Sequence, residues 1–211
     1  MILAFNTSLA DLHIGLFSDG AERLAEFHHL ATDTERHIHD ALLAQQTSGL
    51  LKKISASPKD ISAITFINGP GSFTGLRIGL AFAKGVAFGT GAALVPFTAH
   101  NVLLKVYESR ITNHEPRTGI LYPGYEKDSV YISYSDAPDA IRYMRTSELL
   151  KMDITEVICP IELDSIEIPH HIVSVDLKTM ALIAASGAER ISGRSIGELE
   201  PFYGTDFKLT I

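Results

Sequence analysis

The sequence predicts an α/β fold in which one order of elements occurs twice, the second time in shortened form. Residues 1–7 form an almost continuous apolar run, which is typical of a strand buried on both faces. Residues 61–85, ISAITFINGPGSFTGLRIGLAFAKG, combine an apolar strand, a tight Gly-Pro loop and a helix rich in small residues. The elements of residues 1–110 follow the order βββαβαβα, and fewer elements of the same types return in residues 111–211.

Each element of the first segment has its own signal. Leu12–Ser18 and Glu22–His28 are short strands on either side of a turn, so with residues 1–7 they predict a three-stranded meander. The next helix, Glu35–Ile54, carries two lysines near its carboxyl end, where the helix dipole favours cations. The remaining predicted elements are the strand Ile61–Ile67, the helix Thr74–Phe88, the strand Ala92–Val95 and the helix Thr98–Arg110.

A polar connector at residues 112–118 precedes the second segment. Alternating and apolar runs predict five strands there, with a helical turn at Ser147–Met152 and a final helix at Lys178–Ile191. The strands are Gly119–Tyr122, Ser129–Ser135, Ile141–Arg145, Thr155–Cys159 and Ile172–Val175.

The loop after the fourth strand predicts a row of backbone amides at a helix N-terminus. Such amides converge where the helix dipole is positive, so the loop is a candidate anion-binding site. The residues that would form it are Thr7, Ser8, Gly69, Gly71, Ser72, Thr74 and Arg77. The glycine spacing matches neither the dinucleotide fingerprint nor the P-loop, so a purely structural turn is the alternative.

The helix after this loop has small residues every four positions, at Gly75, Gly79, Ala83 and Ala87. This spacing places them in one stripe along a helix face, which lets another backbone approach closely. The stripe packs either against the protein's own sheet or against a helix of another subunit, and the spacing alone does not separate these alternatives.

Composition narrows the classes of function. The 211 residues, 45% of them hydrophobic, are enough for one compact unit or two small lobes. A net charge of −7 opposes a large direct contact with nucleic acid. The single cysteine, Cys159, excludes an intramolecular disulfide and a cysteine-based zinc cluster. The apolar N-terminus is too short for a signal peptide or a membrane span, so we expect a soluble, cytoplasmic protein without a membrane partner.

Three segments together resemble the TsaB family, also called YeaZ. They are MILAFNTS, RHIHDALL, and GPGSFTGLRIGLAFAKGVA with the following LVPFTAHNVLL. The ending LEPFYGTDF is similar to the family's C-terminal segment. The resemblance implies two lobes of the actin-like, RNase H-like ATPase (ASKHA) fold. These would be an N-terminal lobe at residues 1–110 and a smaller, degenerate lobe at 111–211.

The resemblance also implies a function, which is a part in making the threonylcarbamoyl modification of a tRNA adenosine. Family members are non-catalytic partners of the related TsaD, and the ATPase TsaE joins them. This chain would need no cofactor, its partners would use ATP and Mg²⁺, and it would contact tRNA only indirectly. Pairing uses the two long helices of the first lobe, and the same face would form a homodimer when TsaD is absent. The interface residues implied are Ile38, Leu42, Gly75, Leu76, Gly79, Ala83 and Ala87.

The chain departs from the family pattern at Asn6, where family members usually carry an Asp, and an amide does not bind a metal as a carboxylate does. The alternative function is a small ATPase or kinase of the same fold that acts on a small molecule, with phosphate loops in both lobes and carboxylates for Mg²⁺. The second lobe has no clear Gly-rich loop of this kind. No nucleophile–base motif and no His spacing typical of a metal site occurs either, so we predict neither a catalytic residue nor a metal ligand.

Overall fold

The protein is built on two five-stranded sheets. The computed structural model describes residues 1–31, 39–110, 118–162 and 168–203. The first sheet contains β1 (Ile2–Asn6), β2 (Leu12–Phe17), β3 (Arg23–His29), β4 (Ala63–Gly69) and β5 (Ala93–Thr98). The same stretch of the chain contains the helices α1 (His39–Lys53), α2 (Phe73–Thr90) and α3 (Ala99–Glu108), and a 3₁₀ turn at Pro58–Asp60. The predicted order βββαβαβα is confirmed.

The second sheet contains β6 (Thr118–Pro123), β7 (Ser129–Tyr134), β8 (Ala137–Arg145), β9 (Glu156–Cys159) and β10 (His170–Ile172). The remaining helices are α4 (Thr146–Leu149), α5 (Leu177–Ala185) and α6 (Ser195–Glu198). No helix within the described ranges combines the length and hydrophobicity needed to cross a bilayer.

The two sheets have the same topology. In the first sheet the order is β3-β2-β1-β4-β5, and β1 is antiparallel to β2 but parallel to β4. In the second sheet the order is β8-β7-β6-β9-β10, and β6 is antiparallel to β7 but parallel to β9. The predicted return of the element order is therefore confirmed at the level of strand order and direction.

One helix of each segment, α3 of the first and α5 of the second, packs on the other segment's sheet. Helix α3 contacts β6, β8 and β9, whereas α5 contacts β1 and β2. One compact unit accordingly comprises Met1–Asn68, Ser72–Phe97 and Leu177–Pro201. The other comprises Gly69–Gly71, Thr98–Asp176 and the chain from Phe202. This division differs from the predicted lobes, 1–110 and 111–211, because both helices cross the predicted boundary.

Helices α1 and α2 cover one face of the first sheet and α5 covers the other. The core of the first face joins Phe5, Ile14 and Leu16 of the sheet to Leu43 of α1 and Leu80 of α2. On the opposite face a methyl carbon of Leu177 lies 3.3 Å from where a Cβ on Gly15 would be. Successive strand residues point to opposite faces of a sheet. Ile14 and Leu16 therefore face α1 and α2, whereas Gly15 between them faces α5.

Two elements near the end of the chain differ from their predicted bounds. Helix α5 ends at Ala185 rather than at Ile191, because Gly187 has a φ of +100°, a conformation that a continuing right-handed helix does not contain. Strand β10 is His170–Ile172, where the sequence predicted Ile172–Val175. The predicted start of α1 at Glu35 lies outside the described residues.

Candidate docking surface and glycine loop

The loop between β4 and α2 needs glycine at its first position. Gly69 has a φ of +139°, which L-residues rarely adopt, and a Cβ there would overlap the backbone carbonyl of Phe202. Close by, the side-chain amide of Asn68 donates to the carbonyl oxygen of Glu200 over 2.9 Å. Glu200 and Phe202 therefore lie directly against the end of β4.

The end of β1 is joined to the start of α2 by hydrogen bonds of buried polar groups. The Ser8 amide and hydroxyl donate to Asn6 Oδ1 over 3.0 and 2.5 Å. The Ser8 carbonyl accepts from the Ser72 amide at 2.8 Å, and the Thr7 hydroxyl donates to the Gly75 carbonyl over 2.8 Å. Thr7 and Ser8 are each 1% exposed, so their hydroxyls serve the fold rather than face solvent.

The first turn of α2 is capped by Ser72, whose hydroxyl accepts from the Gly75 amide at 3.2 Å. Thr74 and Arg77 are exposed, and the Arg77 guanidinium lies 4.7 Å from the centre of the Phe73 ring. The structure brings all seven predicted loop residues to one end of the first sheet, but their contacts favour the structural interpretation. Anion binding by the loop stays a prediction.

The prediction that the small-residue stripe of α2 forms a subunit interface is wrong. Gly75, Leu76, Gly79, Ala83 and Ala87 are all buried within the protein itself. A Cβ on Gly75 would overlap the Thr7 carbonyl oxygen, and a Cβ on Gly79 would lie 2.5 Å from Thr7 Oγ1 and 3.2 Å from Phe5 Cε2. Gly75 and Gly79 leave room for the end of β1 and for Thr7 directly after it, so this part of the stripe is closed to a partner.

Two predicted interface residues remain, Ile38 and Leu42, and of these Leu42 is on α1. Leu42 is partly buried against the core of the first face, and Ile38 lies outside the described residues. The described stripe residues and Leu42 thus contribute to the protein's own core.

A second small-residue stripe lies on the outward side of α2. Ala81, Gly85 and Gly89 are exposed and spaced by four residues, and no heavy atom lies within 4 Å of a Cβ built on Gly85 or Gly89. Phe88, between them, is 66% exposed. Helix α1 packs beside α2. Its exposed residues are mostly small or polar and include Ala41, Ala44, Gln45, Ser48, Gly49, Lys52 and Lys53. We call these exposed residues of α1 and α2 the outward helix face.

A titratable cluster that the sequence did not reveal lies in the second unit. Glu156 Oε1 accepts from the hydroxyls of Tyr107 at 2.9 Å and Thr118 at 2.8 Å, and Glu156 Oε2 lies 3.2 Å from His171 Nε2. Burial and the hydrogen bond to Glu156 raise the pKa of Tyr107 to about 12. Although burial opposes it, these hydrogen bonds lower the pKa of Glu156. The cluster joins α3, β6, β9 and β10. No sequence motif could have revealed it, because its members are far apart in the sequence.

Within the described ranges, no group of three or more His, Cys, Asp or Glu side chains is placed to hold a metal ion. The adjacent histidines of β10 contact different carboxylates, since His170 Nε2 lies 2.9 Å from Glu162 and His171 contacts Glu156. Adjacent residues of a strand point to opposite sides, so these two histidines have different neighbours.

Comparison with known proteins identifies the family. The model of the family "TsaD: tRNA N6-adenosine threonylcarbamoyltransferase" matches residues 33–143, just over half of the chain. The chain belongs to the TsaD family. Within this family the resemblance to TsaB, or YeaZ, is confirmed by both sequence and structural relatives.

The TsaB protein of Buchnera aphidicola is 31% identical over 135 residues, which are 64% of this chain and 58% of the relative. The TsaB protein of Escherichia coli is 31% identical over 94 residues, which are 44% of this chain and 38% of the relative. The alignments therefore span less than two thirds of these TsaB proteins. Both relatives are named as tRNA threonylcarbamoyladenosine biosynthesis proteins.

The structure of YeaZ from Pseudomonas aeruginosa superposes with a TM-score of 0.67 at 17% identity, covering 96% of this chain and 98% of that one. A second P. aeruginosa structure, of an uncharacterised protein similar to peptidase YeaZ, gives a TM-score of 0.68 at 18% identity and covers 97% and 99% of the two chains. At this identity the likeness shows the fold alone. The predicted fold class, α/β with the βββαβαβα order and a shortened second set of elements, is confirmed, and it is the fold of YeaZ.

Proposed function

We propose that this protein is a non-catalytic subunit of the machinery that makes N6-threonylcarbamoyladenosine in tRNA. In this role it docks a TsaD-like catalytic subunit through the outward helix face. The family membership and the TsaB relatives support the pathway. The observation that carries the docking role is the outward stripe of α2, where Ala81, Gly85 and Gly89 leave the helix backbone open to a neighbouring chain.

The size of the outward helix face suits a stable protein interface. Helix α2 has 18 residues and is therefore about 27 Å long, and α1 lies beside it with 15 residues. Stable interfaces bury about 1,200–2,000 Å² in total. Small residues let a partner helix approach α2 closely, and the exposed Phe88 supplies an aromatic side chain of the kind that dominates binding energy.

The chemistry at the end of β1 supports a role without catalysis. Asn6 offers an amide where a metal-dependent member of the fold would need a carboxylate, and its oxygen already accepts two hydrogen bonds from Ser8. The Thr7 hydroxyl is likewise occupied by the Gly75 carbonyl. In this proposal ATP and Mg²⁺ are used by the partner subunits, which include a TsaE-like ATPase, and the chain itself needs neither.

The docking test measures complex formation between the purified chain and the TsaD-like protein of the same genome, by size exclusion with light scattering. We expect a one-to-one complex, and a homodimer when the TsaD-like protein is omitted. Gly85→Trp fills the outward stripe and should weaken the complex at least tenfold. Ala185→Trp is the matched control, because Ala185 is exposed on α5, on the opposite face of the sheet. Equal affinity of the two variants would contradict docking through α2.

The non-catalytic part is tested separately by incubating the isolated chain with ATP and Mg²⁺. No turnover above that of a heat-inactivated sample is expected. Robust turnover that requires Mg²⁺ would overturn this part of the proposal and favour a small ATPase or kinase.

A further inference from the structure

An open groove of about 370 Å³ lies at the carboxyl end of α2, entirely within the first unit. Its lining residues come from the end of α2 and from the segment around α6. They are Ala87, Phe88, Gly91, Gly193, Arg194 and Ile196. Ala87 and Ile196 are core residues, only 2% and 4% exposed, so the floor of the groove is fixed by the protein's own packing.

Two glycines, Gly91 and Gly193, lie at the rims of the groove. Gly91 caps α2 with a φ of +83°, and Gly193 has a φ of +63°, so both positions favour glycine. No heavy atom lies within 4 Å of a Cβ built at either position. Phe88 forms one wall and is 66% exposed, a large apolar surface that the protein leaves in water. The groove therefore offers apolar walls and open access.

Arg194 is the charged residue of this lining, which contains no acidic side chain. Within the described part of the chain its guanidinium has no carboxylate within ion-pair distance, as the salt bridges of the protein involve other residues. A cation beside an apolar groove is complementary to a group that combines an apolar side chain with a negative charge.

The groove is continuous with the outward helix face. Ala81, Gly85 and Phe88 follow one another at spacings of four and three residues, so they lie on one side of α2 and end at the groove wall. A protein that docked along α2 would reach the groove with the residues at one end of its contact surface.

We infer that this groove receives a large apolar side chain flanked by a carboxylate, carried by the protein that docks on the outward helix face. The apolar side chain packs against Phe88 over the floor of Ala87 and Ile196, and the carboxylate pairs with Arg194. This inference rests on the proposed function and names a specificity site at one end of its interface.

The test compares affinities for the TsaD-like protein, measured by titration calorimetry at low and high salt. Phe88→Ala should weaken binding about tenfold, the usual effect of truncating an aromatic interface residue. Arg194→Glu should weaken binding at least tenfold and reverse the salt dependence, because an attractive pair becomes repulsive. Leu182→Ala and Arg142→Glu are controls, since Leu182 is 48% exposed on α5 and Arg142 is exposed on β8 of the other unit. Thermal unfolding verifies that all variants fold.

Each outcome decides the inference. Weaker binding by both groove variants, with unchanged controls, supports it. Wild-type affinity for both variants overturns the groove site and leaves the docking proposal standing. A loss with Phe88→Ala alone overturns the carboxylate. A lower unfolding midpoint of Arg194→Glu with unchanged affinity means that Arg194 serves the carboxyl end of α2 and also overturns the inference. If wild type does not bind the TsaD-like protein, the inference fails together with the proposed function.

Discussion

Three glycines of one helix provide the sharpest test of where α2 packs. Gly75 and Gly79 face β1, whereas Gly85 faces solvent. Replacing a glycine inside an exposed helix by alanine stabilises a protein by about 0.5–1 kcal/mol, because glycine loses more conformational freedom on folding. The same substitution at a buried glycine adds a methyl group that must find space. The sign of the effect therefore reports what lies opposite each position.

The structure predicts a definite order of stability for the three alanine variants. Gly85→Ala meets no atom within 4 Å and should gain about 1 kcal/mol. Gly79→Ala meets the Thr7 hydroxyl at 2.5 Å, a hydroxyl already fixed by its hydrogen bond to Gly75, so it should lose about 1 kcal/mol. Gly75→Ala overlaps a backbone carbonyl, which cannot move without shifting β1, and should lose about 2–3 kcal/mol.

Thermal unfolding followed by circular dichroism suits this chain, which contains no tryptophan. For a protein of this size about 1 kcal/mol corresponds to about 2–4 °C in the unfolding midpoint. Gly85→Ala and Gly75→Ala should therefore differ by about 6–16 °C, with wild type between them. If Gly75→Ala were as stable as Gly85→Ala, the stripe would not lie against β1, and our correction of the interface would be refuted.

Three further predictions concern single buried groups. Asn6→Ala removes the acceptor of two Ser8 hydrogen bonds and should lower the free energy of unfolding in urea by about 1–3 kcal/mol. Asn6→Asp keeps the acceptor and should lower it less. Equal losses in the two variants would contradict the role of Asn6. Burial lowers the pKa of His100 to about 4. Between pH 6.5 and 4 the unfolded chain therefore binds a proton that the folded chain does not. The free energy of unfolding should fall by up to about 3 kcal/mol as the pH falls through this window. His100→Gln should flatten this pH dependence, and an unchanged slope would contradict it. Burial raises the pKa of the Cys159 thiol to about 11, so iodoacetamide should label it slowly in the native protein and rapidly in urea; fast native labelling would contradict its burial.

The sequence predicted the strands well because each buried strand carries its own pattern. The apolar run at residues 1–7 and the strand before Gly69 were found because both are buried on both faces. These signals depend only on residues that are close together in the chain, so a single sequence is enough to detect them.

What packs against a surface depends on residues far away in the chain, so the pattern of a single helix leaves two neighbours possible. The four-residue spacing of Gly75 and Gly79 indicates a close approach without identifying the neighbour. Only the positions of Phe5 and Thr7 in the structure show that this neighbour is the end of β1. The same holds for α3 and α5, because amphipathicity shows that a helix buries one face but not which sheet covers it. The outward stripe was missed because Ala81, Gly85 and Gly89 repeat with the same period as the buried stripe.

The two sheets share their strand order but differ in the helices between their strands. Strand order is the same in both, but α1 has 15 residues where the equivalent position after β8 has α4, of four residues. Only residues 160–169 separate β9 from β10, too short a segment for an 18-residue helix such as α2. A sheet needs all its strands to stay folded, whereas a helix can be shortened if other groups cover the sheet. The long helix pair is therefore specific to the first unit, which is the arrangement that the proposed docking through this pair requires.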